Sequence, residues 1–404
     1  MPNTAMSNAA TEETPRELYL DSAASGAVSQ AAIDAMLPFM TEAYGNPSSV
    51  HADGKTAARA LDAARSSFAA DLGARPNDVV FTSGGTESDN LAIKGTALAQ
   101  VRRENAGMAS RPHRIIVSAV EHPAVMQSAQ WLHDFFGFDV ATIPVDAQAH
   151  VDLAALRREA ERGATLACIM MANNEVGTVE PVADAVRICH AAGVPVHVDA
   201  VQAAGTIPVD FRGTDADSLA VSGHKFGAPK GLGALLVRSR VQLEPVISGG
   251  GQERGLRSGT ENVAGAVALA VALHEACATM ETRSAAVAQS RDALVRAVQN
   301  AVPFAHETGD PVWRLPGHAS FVFPGVTGEA LLVDLDARGI EVSSGSACAI
   351  GRHEVPGTLL AMGCSETDAK SALRFSFRAP LPLRDIQRIA AALHDSVDAL
   401  HVSV

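Results

Sequence analysis

The feature that most constrains this chain is an alternation. Short, unbroken, mostly apolar runs occur at Val79–Phe81, Arg114–Val117, Val140–Val145, Leu166–Met171, Val196–Val198, Leu219–Val221 and Ala234–Val237. Longer helical patterns fall between them, at Glu87–Arg103, Pro123–Phe136, Asp152–Arg162 and Val182–Ala192. A strand that is apolar at successive positions must be buried on both faces. Seven such runs with intervening helices predict an α/β fold, with a mostly parallel seven-stranded sheet flanked by helices. Ligands of such sheets bind beyond the carboxyl ends of the strands. The chemistry is therefore expected in the loops that follow these runs.

At 404 residues and 47% hydrophobic content, the chain is long enough for a large domain and a smaller one. A Gly-rich stretch from Ser248 to Thr260 leads into a helical pattern that starts near Glu261 and continues, with breaks, past Arg291. The expected division is a tail over 1–17, a large domain over 18–277 whose first residues pack with the small domain, and a small α+β domain over 278–404. Further helices are expected at Gly328–Arg338 and Leu383–Leu400. A net charge of −13 and 4% aromatics argue against direct nucleic-acid binding. The five cysteines contain no CxxC pair and match no zinc spacing, so no metal site or disulfide framework is expected, and a reducing cytoplasm fits. Residues 1–17 lack the apolar core of a signal peptide, and Ala264–Leu273 is too short to span a bilayer.

Five polar clusters follow strand runs. Ser83-Gly84-Gly85-Thr86-Glu87-Ser88 opens a helix, where glycines allow close approach, free N–H groups attract an anion, and Thr86 and Ser88 offer capping hydroxyls. Glu121-His122-Pro123 brings an imidazole able to stack on a ring or move protons. Asn173-Asn174-Glu175-Val176-Gly177 offers amide donors. In His197-Val198-Asp199-Ala200-Val201-Gln202, strand alternation puts His197 and Asp199 on one side, and Asp199 suits a protonated ring nitrogen. In Ser222-Gly223-His224-Lys225, desolvation at a strand end makes the lysine amine nucleophilic toward an aldehyde. Taken singly, each cluster has a bland reading as a turn, a helix cap or a surface lysine. Together they offer partners for a phosphate, an aldehyde, a pyridinium and a ring face, which are the parts of pyridoxal 5′-phosphate.

With Arg257-Ser258-Gly259-Thr260, Ser343-Ser344-Gly345-Ser346-Ala347-Cys348 and Arg374-Phe375-Ser376, these clusters form an ordered set over about residues 18 to 400. The set resembles the cysteine desulfurases of the NifS/IscS type, class V members of the fold-type-I pyridoxal-phosphate-dependent transferases, and most of all the actinobacterial IscS-like ones. The resemblance implies that Lys225 forms the Schiff base with the cofactor, that Asp199 pairs with its ring nitrogen, and that His122 stacks on the ring and transfers protons. Asn174 and Gln202 would contact the ring's oxygen side. Gly85, Thr86, Ser222 and His224 would hold the phosphate. Thr260 would reach the phosphate of a neighbouring subunit in a homodimer. Arg374, with Asn174, would grip the substrate α-carboxylate, which suits a planar guanidinium fork.

Cysteine 348 selects among the reactions a lysine-bound cofactor permits. Cys168 in an apolar run, and Cys189 and Cys277 on helical patterns, fit the core; Cys348 sits in a small, polar, Gly-containing segment that suits a reactive thiol. The implied reaction removes sulfur from L-cysteine, giving L-alanine and a persulfide on Cys348 for an acceptor such as an iron–sulfur scaffold or a thiolation system. A selenocysteine lyase or another class V aminotransferase is the alternative enzyme; a non-catalytic sulfur-delivery partner is the alternative outside enzymes. Two segments depart from the family pattern. Leu20-Asp21-Ser22-Ala23-Ala24-Ser25-Gly26-Ala27 stands where the family reads Leu-Asp-x-x-Ala-Thr-Thr-Pro, and Ala349–Gly357 lacks the common Ser/Thr-rich composition.

Overall fold

A computed structural model of the chain describes residues 17–108, 111–344 and 355–401. The seven runs form one sheet: β1 (Val79–Thr82), β2 (Arg114–Ser118), β3 (Asp139–Ile143), β4 (Leu166–Cys168), β5 (Val196–Asp199), β6 (Ser218–Ser222) and β7 (Gly233–Val237). Their spatial order is β1-β7-β6-β5-β4-β2-β3. Only β7 runs against its neighbours. The carboxyl ends of β1, β2, β4, β5 and β6 therefore open onto the same edge.

The strand after Leu166 is shorter than its apolar run. Regular pairing stops at Cys168 because the next amides are shared between partners. Ile169 N–H and Met171 N–H still donate to His197 and Asp199 carbonyls, but Met170 N–H turns to Glu121 Oε1 at 2.6 Å. Helices α1 (Ala52–Asp71), α2 (Gly85–Asn105) and α3 (Pro123–Phe136) cover this unit. Helix α1 is absent from the sequence-based expectation, although Ala57, Leu61, Ala64 and Phe68 mark its buried stripe. Helix α3 begins at the His122 cap with Pro123 in its first turn, and ends at Gly137 in the left-handed region.

The mostly apolar α4 (Val263–Ala278) packs on α1 and completes the first core. Chain direction then turns by 68° into α5 (Met280–Ala301). A second core collects Leu18 and Leu20 with residues from Val287 to Val397. Its sheet has the order β10-β11-β9-β8, from β8 (His306–Glu307), β9 (His318–Val322), β10 (Ser343–Ser344) and β11 (Leu373–Ser376). Leu18–Tyr19 pairs in parallel with Ile340–Glu341, tying the start of the described chain to this second core. Cys168 and Cys189 are buried and Cys277 is half-buried. Among the described residues, no single helix is long and apolar enough to cross a membrane.

Candidate functional site

At the end of β1 the chain passes closely under its neighbours. A Cβ on Gly85 would stand 2.5 Å from a Val201 methyl, and one on Gly233 would stand 2.5 Å from Gly84 Cα. Glycine is required for the first turn of α2 to lie against β6 and β7. Ser222 lies beside this turn, its hydroxyl in van der Waals reach of a Cβ built on Gly84. The cap of α2 is Gly84, not Thr86 or Ser88. Ser88 Oγ instead donates to the Gly84 carbonyl at 3.1 Å, and Thr86 is exposed.

The ends of β2, β5 and β6 bring the titratable groups together. Ligand atoms of Asp89, His122 and Asp199 all lie within 4.8 Å of one another. His122 Nδ1 accepts the Ala124 N–H at 3.1 Å, capping α3 and fixing the ring while leaving Nε2 for other work. Burial pushes the His122 pKa down; nearby Asp199 opposes the shift and Lys225 adds to it. Asp199 accepts the Val201 N–H at 2.8 Å, and its pKa is raised by burial against the pull of His122. Asp89 and Glu121 crowd the same space. Burial raises both, Glu121 to about 8, and Asp199 raises them further.

Lys225 follows β6 in a short turn, and its Nζ donates to the carbonyls of Ala23, at a very short distance, and Ala24, at 3.0 Å. Gln202 Nε2 donates to the same Ala23 carbonyl at 3.0 Å. His224 contacts Ser25 Oγ at 3.4 Å, and burial holds its pKa down at about 4. Thus Lys225, Gln202 and His224 converge on the segment that departs from the family pattern.

Arg374 enters from β11. It is 1% exposed and donates from Nη2 to Asp21 Oδ1 at 2.6 Å and from Nη1 to the Asn174 carbonyl at 2.9 Å. Asn173 shapes that turn by accepting the Glu175 and Val176 N–H groups. Thr260 is exposed. Cys348 lies outside the described residues. Its upstream anchor is β10, where Ser343 pairs with Arg374.

Two participants escaped the sequence reading. Asp89 is 1% exposed and accepts from or donates to His197 Nε2 at 3.1 Å, while His197 Nδ1 meets Ser218 Oγ at 2.9 Å. Its signal was an acid in the first turns of a helix on the face toward the sheet. Asp21, paired with Arg374, had no local signal, because the two are 353 residues apart.

The residues fit pyridoxal phosphate. The glycine turn leaves room that a Cβ would fill, the lysine lies at a strand end, and the buried Asp199 carboxyl needs a cationic partner.

Comparison with known proteins gives consistent results. The model of the aminotransferase class-V family matches residues 18–389. The chain is 43% identical over 373 residues to a cysteine desulfurase of Gluconacetobacter diazotrophicus, covering 92% of this chain and 91% of that one. It is 44% identical over 363 residues to an IscS-like cysteine desulfurase of Mycobacterium tuberculosis, covering 89% and 90%. Among solved structures it is similar to a NifS-like protein, with a TM-score of 0.86, 34% identity and coverage of 95% and 100%. It is also similar to SspA in complex with cysteine, with a TM-score of 0.78, 31% identity and coverage of 90% and 100%.

Proposed function

The chain belongs to the class-V aminotransferase family, among its cysteine desulfurases, and we propose that Lys225, His122, Asp199, Arg374 and Cys348 perform that activity here with pyridoxal 5′-phosphate. The observation that carries the assignment is the meeting of Lys225, His122 and the buried Asp199 carboxyl at one sheet edge. When bound, the cofactor supplies an electron sink for the substrate α-carbon.

The protein's part follows from its own atoms. Gly85, Thr86, Ser222 and His224 would hold the phosphate, because free N–H groups at the start of a helix favour an anion. Asp199 would hold a proton on the cofactor's ring nitrogen, a positive charge that would offset the cost of its own burial. Lys225 would hold the cofactor through its Nζ, and the same amine would move the α-proton of L-cysteine. Asn174 and Gln202 orient the ring's oxygen side. Arg374, with Asn174, binds the substrate carboxylate. His122 is kept neutral by burial, and because its Nδ1 accepts the Ala124 N–H its single ring proton lies on Nε2, which can donate toward the site.

The sulfur step balances on the Cys348 thiol. A bond forms between Cys348 Sγ and the substrate sulfur, and the substrate C–S bond breaks. The thiol proton ends on the carbon, which is reduced as the sulfur is oxidised. The products are Cys348–S–SH and L-alanine, and the persulfide sulfur passes to an acceptor protein such as an iron–sulfur scaffold. Ser344 is four residues from Cys348, a span of at most about 14 Å, and Ser343 is paired with Arg374. Exposed Thr260, on its Gly-rich loop, supports a homodimer in which it reaches the partner's phosphate. The two cores and the bend between α4 and α5 support a domain division at 277/278.

Replacing Cys348 with Ala tests the assignment. The variant should stay yellow and still bind L-cysteine, while sulfide release in the presence of a reductant falls to background. Undiminished release would remove Cys348 from the mechanism.

A further inference from the structure

Arg374, 1% exposed, is among the largest fully buried residues of those described. A buried guanidinium without a counter-charge is strongly destabilising. The carboxylate that meets it is Asp21, at 2.6 Å from Nη2. Asp21 is less enclosed, with its side chain 22% exposed. Nε lies on the same edge of the guanidinium as Nη2, and it is buried with no hydrogen-bond partner among the described residues. Asp21 therefore uses half of an edge that matches a carboxylate through two parallel N–H bonds.

The backbone around Asp21 is pinned. Ser376 N–H donates to the Leu20 carbonyl at 2.7 Å, Ser22 N–H donates to the Ser376 carbonyl at 3.0 Å, and Ala23 N–H donates to Ser376 Oγ at 2.8 Å. The Asp21 side chain can rotate off Arg374 without moving the strand that carries it.

We propose that Asp21 is an internal stand-in for the substrate's α-carboxylate: it neutralises Arg374 in the free enzyme and yields Nη2 when a ligand carboxylate takes Nε and Nη2 together. The inference rests on the reading of Arg374 as the carboxylate anchor. A ligand's affinity then reports the difference between its own pairing with Arg374 and that of Asp21. Asp21 is thus a specificity-determining residue. It sets how strongly a carboxylate must bind before it enters, and it leaves ligands without a carboxylate unaffected.

The test uses holoenzyme and two ligands, L-alanine and ethylamine, which differ by the carboxylate. Binding is followed by the visible absorbance of the bound cofactor and by the shift in melting temperature. In Asp21→Asn, which removes the charge and keeps the shape, L-alanine should bind about tenfold tighter. Ethylamine affinity should not change, and saturating L-alanine should raise the melting temperature more than in wild type. Asp21→Glu keeps the charge and should resemble wild type. Unchanged or weaker L-alanine binding in Asp21→Asn, equal tightening of both ligands, or tightening in Asp21→Glu would overturn the proposal. The underlying reading fails separately, if Arg374→Lys binds L-alanine as wild type does. Should that variant not fold, equal affinity of wild type for L-alanine and ethylamine defeats the reading instead.

Discussion

Strands β5 and β6 carry an Asp–His cluster at each end, and the two clusters are built in opposite ways. At the amino ends, Asp217 is 3% exposed and saturated with donors: Val196 N–H at 2.8 Å, His190 Nε2 at 2.8 Å and Arg240 Nε at 2.7 Å. At the carboxyl ends, Asp199 takes one backbone N–H and faces two more buried acids, Asp89 and Glu121. Glu121 Oε2 has no hydrogen-bond partner among the described residues. The same residue types thus give one satisfied cluster and one in which buried carboxyls raise each other's pKa. A cluster that the protein's own cations leave uncompensated is held for a ligand's charge, whereas the satisfied one serves the fold.

The sharpest way to break this contrast is to remove one charge from each end. Asp199→Asn should lower kcat on the order of 10²-fold or more, because a developing charge loses its fixed counter-charge. In the cofactor-free protein its melting temperature should stay level or rise, since a poorly compensated buried carboxyl is gone. Asp217→Asn should do the reverse. It weakens charge-assisted hydrogen bonds worth about 2 kcal/mol in all, a figure kept low because Arg240 is half-exposed. The urea midpoint should fall, while kcat per folded molecule stays at the wild-type value. If Asp199→Asn melted low with normal turnover, the two ends would not differ in kind.

How much of this was legible depends on sequence distance. The sheet edge was visible because each strand advertises itself by an apolar run, and the loops after the runs carry the lysine, imidazole and carboxylate. Helix α1 was not, because its buried stripe mixes Leu61 and Phe68 with small Gly54, Ala57, Ala64 and Ala69 and with Arg65, a weak apolar signal among polar neighbours. Asp199 follows its apolar run and Asp217 precedes one, so the sequence sets them at opposite ends; that Arg240 and His190 satisfy Asp217 shows only in three dimensions. Asp21 and Arg374 meet through the register of β11 against residues near the start of the chain. No local pattern encodes that pairing.

Glutamate 121 offers the finest test of the uncompensated end. Its carboxyl sits at about 8, above the ordinary 4.5, because burial penalises the charged form. The folded state therefore holds a proton that the unfolded state has released between those values. The contribution of this group to stability is fully present below about pH 4.5, declines as pH rises, and is lost by about pH 8. Glu121→Gln keeps an oxygen for Ser118 Oγ and Met170 N–H, and cannot ionise. Urea unfolding at several pH values should show wild type losing stability relative to the variant between pH 5 and 8, with the two converging again toward acid. Parallel curves over that range would mean that Glu121 ionises in the folded protein as it does in water. The crowding of acids around Asp199 would then not be the feature that distinguishes the two ends.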